Sequence, residues 1–184
     1  MFIQTESTPN PLTLKFIPGV TVLEHGTAFF TNVEDAAISP LAVELFSVEG
    51  VTAIFLGSDF ITVTKDEASE WNTLKAPLLT TIMDFLVAKK PVMLSSKKGS
   101  AAAIDNADDS DLVKQIKELI ETRVRPAVAQ DGGDIIFHDF TDGIVQLELH
   151  GSCSGCPSST ITLKNGIENM LKHYIPEVIA VEAI

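Results

Sequence analysis

The sequence predicts an α/β (α+β) protein: two small mixed domains joined by a flexible linker. Three observations carry that reading. The chain has 184 residues, enough for one or two domains. Short runs of alternating apolar residues are interspersed with longer segments at helical spacing. Between residues 95 and 110 the sequence turns small, polar and charged, with almost nothing to bury. The boundaries drawn from this are 1–92, a linker at 93–109, and 110–184.

The first domain reads as ββαββα. Leu12 to Ile17 forms a strand stopped by Pro18-Gly19, and Val20 to Leu23 forms a second short strand. Pro40 opens a helix over Leu41 to Val48, in the first-turn position that suits proline. Val51 to Leu56 and Phe60 to Thr64 flank Gly57-Ser58-Asp59 and predict a hairpin. Leu78, Leu79, Ile82, Met83, Phe85 and Leu86 fall at helical spacing.

The second domain reads as αββαβ with a three-stranded sheet. Ser110 or Asp111 caps a helix whose buried stripe is Leu112, Ile116, Leu119 and Ile120, widened by Val113 and Val124. Pro126 is expected to end or kink it. Asp131-Gly132-Gly133-Asp134 makes a turn into strands Ile135 to Phe140 and Ile144 to Leu149, joined by the hairpin dipeptide Asp142-Gly143. Val145, Leu147 and Leu149 face one way and Gln146, Glu148 and His150 the other. A last helix carries Leu163, Ile167, Met170, Leu171 and Tyr174 on one face, Pro176 stops it, and Val178 to Val181 closes the sheet.

Composition narrows the function. With 13 basic and 25 acidic residues the net charge is −12, and the excess is shared by both domains. Such a surface repels phosphate backbones, so nucleic acid is not an expected partner. The most apolar stretch, Ala76 to Leu94, is interrupted by Asp84, Lys89 and Lys90, so no membrane partner is expected either. No apolar leader follows Met1, and no arginine occurs before Arg123. These features point to a cytoplasmic, bacterial location, or to the mitochondrial matrix if the chain is a trimmed mature form.

The chemistry is concentrated in Gly151-Ser152-Cys153-Ser154-Gly155-Cys156-Pro157-Ser158-Ser159, between a strand and a helix. Cys153 and Cys156 are the only thiols of the chain. Gly151 and Gly155 allow the backbone to curl, and Pro157 suits the first helical position, which puts Cys156 near the N-cap. The helix dipole there favours thiolate over thiol. Beside plain packing, three readings are open. A thioredoxin-like dithiol fits the strand–C-x-x-C–helix context, although the motif follows a hairpin and no aromatic precedes Cys153. Structural zinc needs four ligands; His138, His150 and His173 make no zinc-finger spacing with the cysteines, which leaves a zinc shared between two chains. A cubane 4Fe–4S cluster needs four thiolates, and one chain supplies two, so a second copy must supply the rest.

Beside these stands a resemblance. Arg125-Pro126-Ala127-Val128-Ala129-Gln130-Asp131-Gly132-Gly133-Asp134-Ile135, followed by the stretch from Gly151 through Cys153 and Cys156 to Glu168, closely resembles the NifU-like C-terminal domain of Nfu-type iron–sulfur scaffold proteins. The opening run, Met1 to Pro11 with Leu14 to Gly19, resembles the N-terminal domain that Nfu proteins carry. The resemblance implies a scaffold or carrier, not an enzyme. Its cluster ligands would be Cys153 and Cys156, holding a 4Fe–4S cluster between two subunits. Its partners would be a second copy, upstream cluster-assembly proteins and apo iron–sulfur clients. A dithiol–disulfide oxidoreductase is the alternative function.

Lesser candidates read as structural. The Gly132-Gly133 turn is assigned to backbone geometry more than to flanking a cluster. Ser158, Ser159 and Thr160 can reach sulfur, but first-turn capping explains them equally. Trp71 is read as a core or domain-edge anchor.

Overall fold

The computed structural model describes residues 2–94, 110–154 and 157–184, with the side chains of 157–159 left aside. The chain divides into two compact units between residues 100 and 101. The stretch assigned to the linker lies mostly outside the described residues. At its start, Met93 packs on the first core and Leu94 N–H donates to the Ile38 carbonyl at 2.8 Å.

The first unit is a five-stranded antiparallel sheet with helices on its core face. Strands are β1 (Gln4–Ser7), β2 (Thr13–Ile17), β3 (Ala28–Phe30), β4 (Val51–Leu56) and β5 (Ile61–Lys65), in the order β1-β2-β5-β4-β3. Helices are α1 (Val33–Ala36), α2 (Pro40–Phe46) and α3 (Trp71–Val87). Leu14, Phe16, Ile54, Leu56, Ile61 and Val63 alternate along the strands and meet Leu41, Leu45, Leu78, Ile82 and Phe85 of the helices. Ser39 caps α2, accepting from Ala42 N–H while its hydroxyl donates to the Val92 carbonyl.

Two differences from the expected ββαββα stand out. Val20 to Leu23 is not a strand: it is a loop whose Val22 N–H donates to Ser58 O at 2.7 Å, and whose Val22 and Leu23 side chains are buried while Val20 is exposed. The sheet is instead extended at its edges by β1 and β3, which are short. Trp71 is partly buried against the core and donates Nε1–H to Pro11 O at 3.0 Å, as an anchor would.

The second unit begins with α4 (Asp111–Leu119), capped by Ser110. The helical path passes through a π turn at Ile120–Val124 into α5 (Arg125–Gln130). Pro126 therefore does not end the helix. It has no N–H to donate, and the wider turn before it re-routes the ladder, with Arg125 N–H reaching Ile120 O. Strands β6 (Gly133–Thr141) and β7 (Ile144–Gly151) form the expected hairpin, with Asp142 (φ 53°) and Gly143 (φ 81°) both left-handed in the turn. Helix α6 (Pro157–Tyr174) crosses back to β8 (Ala180–Ala183), which pairs parallel to β7. The three-stranded order is β6-β7-β8.

Ile116, Ile120, Val124, Val128, Ile135, Val145, Leu147, Ile167 and Leu171 make this core. Two side chains depart from expectation. Tyr174 is exposed at the end of α6, where Arg123 lies over its ring at 5.1 Å. His150 shares the face of Glu148 but is buried rather than solvated.

Candidate metal centre

Strand β7 delivers the chain to the cysteine segment. It ends at Gly151, whose φ of 69° is a conformation that favours glycine. That residue turns the chain, and Ser154 N–H closes the turn onto Gly151 O at 3.1 Å. Cys153 sits inside the turn, only 6% exposed, as a member of the core.

The Asp131-Gly132 turn lies directly against it. Gly132 has φ 80°, so the backbone reading of the Gly pair holds at that residue. Gly133 serves a different purpose: a Cβ there would stand 2.8 Å from Cys153 Sγ and 2.7 Å from His150 O. The bare backbone lets β6 pass beside the sulfur. Ser152 N–H donates to Gly132 O at 3.3 Å, and the Ser152 hydroxyl donates to Asp131 O. On the other side Thr160 of α6 donates Oγ1–H to Cys153 O at 3.2 Å. Thr160 thus grips the backbone of Cys153.

The turn is itself braced. Arg125 Nε and Nη2 donate to the two oxygens of buried Asp134 at 2.8 and 2.9 Å, and Nη1 donates to Glu121 at 2.7 Å. Burial works against the Arg125 cation, but the hydrogen bonds from these two carboxylates outweigh it and raise its pKa.

The electrostatics at Cys153 are set by burial. Burial pushes its thiol up to about 11, helped by the nearby Asp131 and Asp134 carboxylates and opposed by its hydrogen bond with Ser152. Ser152 Oγ lies 3.9 Å from the sulfur. The helix-dipole argument concerned Cys156, which with Gly155 lies outside the described residues. At Cys153 desolvation governs and favours the neutral thiol over the thiolate.

The histidines are engaged elsewhere. His138 and His150 each bring Nε2 to the Glu148 carboxylate, at 2.6 and 2.8 Å, and His150's hydrogen bond is the main reason the Glu148 pKa is lowered. His173 meets the Tyr174 ring edge-on. Among the described residues no group of three or more His, Cys, Asp or Glu side chains is arranged to hold a metal ion. Gly133, Ser152, Arg125 and Asp134 support the centre in ways no sequence spacing marks; the Gly pair was the one visible signal. No described helix is long and apolar enough to cross a membrane.

Comparisons with known proteins bear on both units. Residues 3–90 match the family described as scaffold protein Nfu/NifU N terminal, and residues 116–182 match the NifU-like domain. The chain is 54% identical over its full length to the human protein named NFU1 iron-sulfur cluster scaffold homolog, mitochondrial. It is 51% identical over its full length to the Drosophila willistoni protein of the same name, and 54% identical over 99% of its length to NifU-like protein 4, mitochondrial, of Arabidopsis thaliana. It spans 72%, 64% and 65% of those three relatives. All three are named as mitochondrial, which overturns the expected bacterial cytoplasmic location; leader and charge patterns at one end of a chain were too weak a signal to carry it. Matched in both units and along its whole length, the chain belongs to the Nfu/NifU-like family.

Proposed function

We propose that this chain is an iron–sulfur cluster scaffold and carrier that holds a 4Fe–4S cluster between Cys153 and Cys156 of two copies and passes it to apo-proteins. The observation that carries the reading is the C-x-x-C pair itself: the only two thiols, three residues apart in sequence and followed directly by the residues of α6. A cubane needs four thiolates, so two chains complete one site. The names of the relatives support the scaffold role, and those relatives are themselves named as mitochondrial.

The cluster is cargo rather than a resident group, and the chain's residues account for how it is held and released. Cys153 must lose a proton to bind iron, because iron–sulfur clusters are held by thiolates. Its raised thiol pKa makes the free site a poor thiolate and ties loading to proton release. Transfer is ligand exchange: an acceptor thiolate takes an iron site as Cys153 or Cys156 leaves it. Because the cluster binds the pair of chains and not the single chain, loading drives dimerisation by mass action. Partners are a second copy, an upstream cluster donor and apo clients, and no turnover of a small substrate is involved.

The oxidoreductase alternative needs an accessible, low-pKa thiolate. Cys153 is buried and shifted the other way. Anaerobic reconstitution with iron and sulfide tests the proposal. The wild-type chain should take up about one cubane per two chains, and Cys153→Ala or Cys156→Ala should abolish it. Full cluster content in either variant would end the reading.

A further inference from the structure

Resting on the cluster-carrier reading, we infer that Ser152 and Thr160 are positioning residues that fix the Cys153 anchor before any cluster arrives. Cys153 lies between two ties from separate elements. Upstream, Ser152 is 1% exposed and bonds twice to the turn preceding β6, hydroxyl to Asp131 O and N–H to Gly132 O. That turn is clamped by Arg125 onto Asp134. Downstream, the Thr160 hydroxyl holds the carbonyl of Cys153 itself from α6. Sulfur is one rotatable bond from Cα, so fixing the backbone at 152 and 153 leaves the sulfur only the few staggered positions of that one bond.

The consequence is kinetic. When an iron–sulfur bond breaks, a pinned sulfur remains beside the iron and rebinds; a loose one drifts, and a competing ligand enters. Preorganisation of a ligand acts through this saved ordering cost. Neither hydroxyl needs to touch the cluster.

The test uses the full chain, reconstituted anaerobically with iron and sulfide and then challenged with an iron chelator. Thr160→Val keeps the side-chain shape and removes the donor; Ser152→Ala removes the other. Each should lose its cluster about two- to tenfold faster than wild type, the range one neutral hydrogen bond covers. Thr160→Ser should restore the wild-type rate, while the metal-free Thr160→Val chain still unfolds cooperatively, its Tm lowered by no more than the several degrees that one lost hydrogen bond accounts for. Wild-type release from Thr160→Val, or equally fast release from Thr160→Ser, overturns the inference. Should Ser152→Ala not fold, the Thr160 pair decides alone. Cys153→Ala runs alongside: if it retains cluster, the carrier reading fails, which is distinct from failure of the clasp.

Discussion

Replacing Gly133 by alanine puts the packing around Cys153 to its sharpest test. The added methyl would lie 2.7 Å from His150 O, 2.8 Å from Cys153 Sγ and 3.4 Å from Cys153 Cβ. Carbon and sulfur or oxygen do not approach within 3.0 Å, so something must move by several tenths of an ångström. His150 O belongs to strand β7, paired with β6 on both sides of it (Asp134 opposite His150, Gly133 opposite Gly151), and cannot yield cheaply. The sulfur must give way, and it is packed in the core with little room. Overpacking of this kind costs about 1–3 kcal/mol. For a unit of this size each kcal/mol lowers Tm by roughly 4–8 °C. Scanning calorimetry of the full chain should therefore show the transition of the second unit falling by at least several degrees, with that of the first unchanged. Alkylation of Cys153 should speed up as the displaced thiol gains solvent. Unchanged Tm and unchanged alkylation would refute the reasoning, since they would mean that β6 does not run against the sulfur.

The remaining predictions concern other parts of the second unit. In a Cys156→Ser chain, iodoacetamide alkylation of Cys153 should rise with an apparent pKa near 11; a plateau below pH 9 would contradict the burial argument. Because folding raises this pKa from the ordinary value of 9.0, the fold favours the protonated thiol, and the contribution is intact below about pH 9 and lost as pH rises to about 11. Arg125→Met strands the buried Asp134 carboxylate and should cost about 3–5 kcal/mol in urea unfolding, with much of it recovered in Arg125→Met/Asp134→Asn; a surface-like loss below about 0.5 kcal/mol would show that the pair is not a brace. Gly166→Ala on α6 meets nothing within 4 Å and should stabilise by about 0.5–1 kcal/mol, read as a higher Tm.

Much of the architecture was legible because its signals are local. The Asp142-Gly143 hairpin needs two left-handed residues in a row, and few dipeptides supply them. Val145, Leu147 and Leu149 alternate into the core as read. The misses are tertiary. β1 is polar and exposed, so nothing in its pattern marks a strand; pairing with β2 makes it one. Val20 to Leu23 has a strand's composition, but Ser58 takes its N–H groups and leaves it a loop. Pro126 marked a break in the helical path, but which of an end or a kink it made, and the π turn that made it, cannot be anticipated from residue types. At the centre, the C-x-x-C spacing announced sulfur chemistry, whereas the burial of Cys153 depends on Gly133, which lies twenty positions earlier in the chain and meets it only in the fold.

The most direct measurement of the central claim is native mass spectrometry of protein purified and kept without oxygen. The account predicts one species of two chains plus four irons and four sulfides, which falls to single bare chains when the cluster is chelated. A cluster carried by a solitary chain, or a dimer indifferent to removal of the cluster, would contradict it.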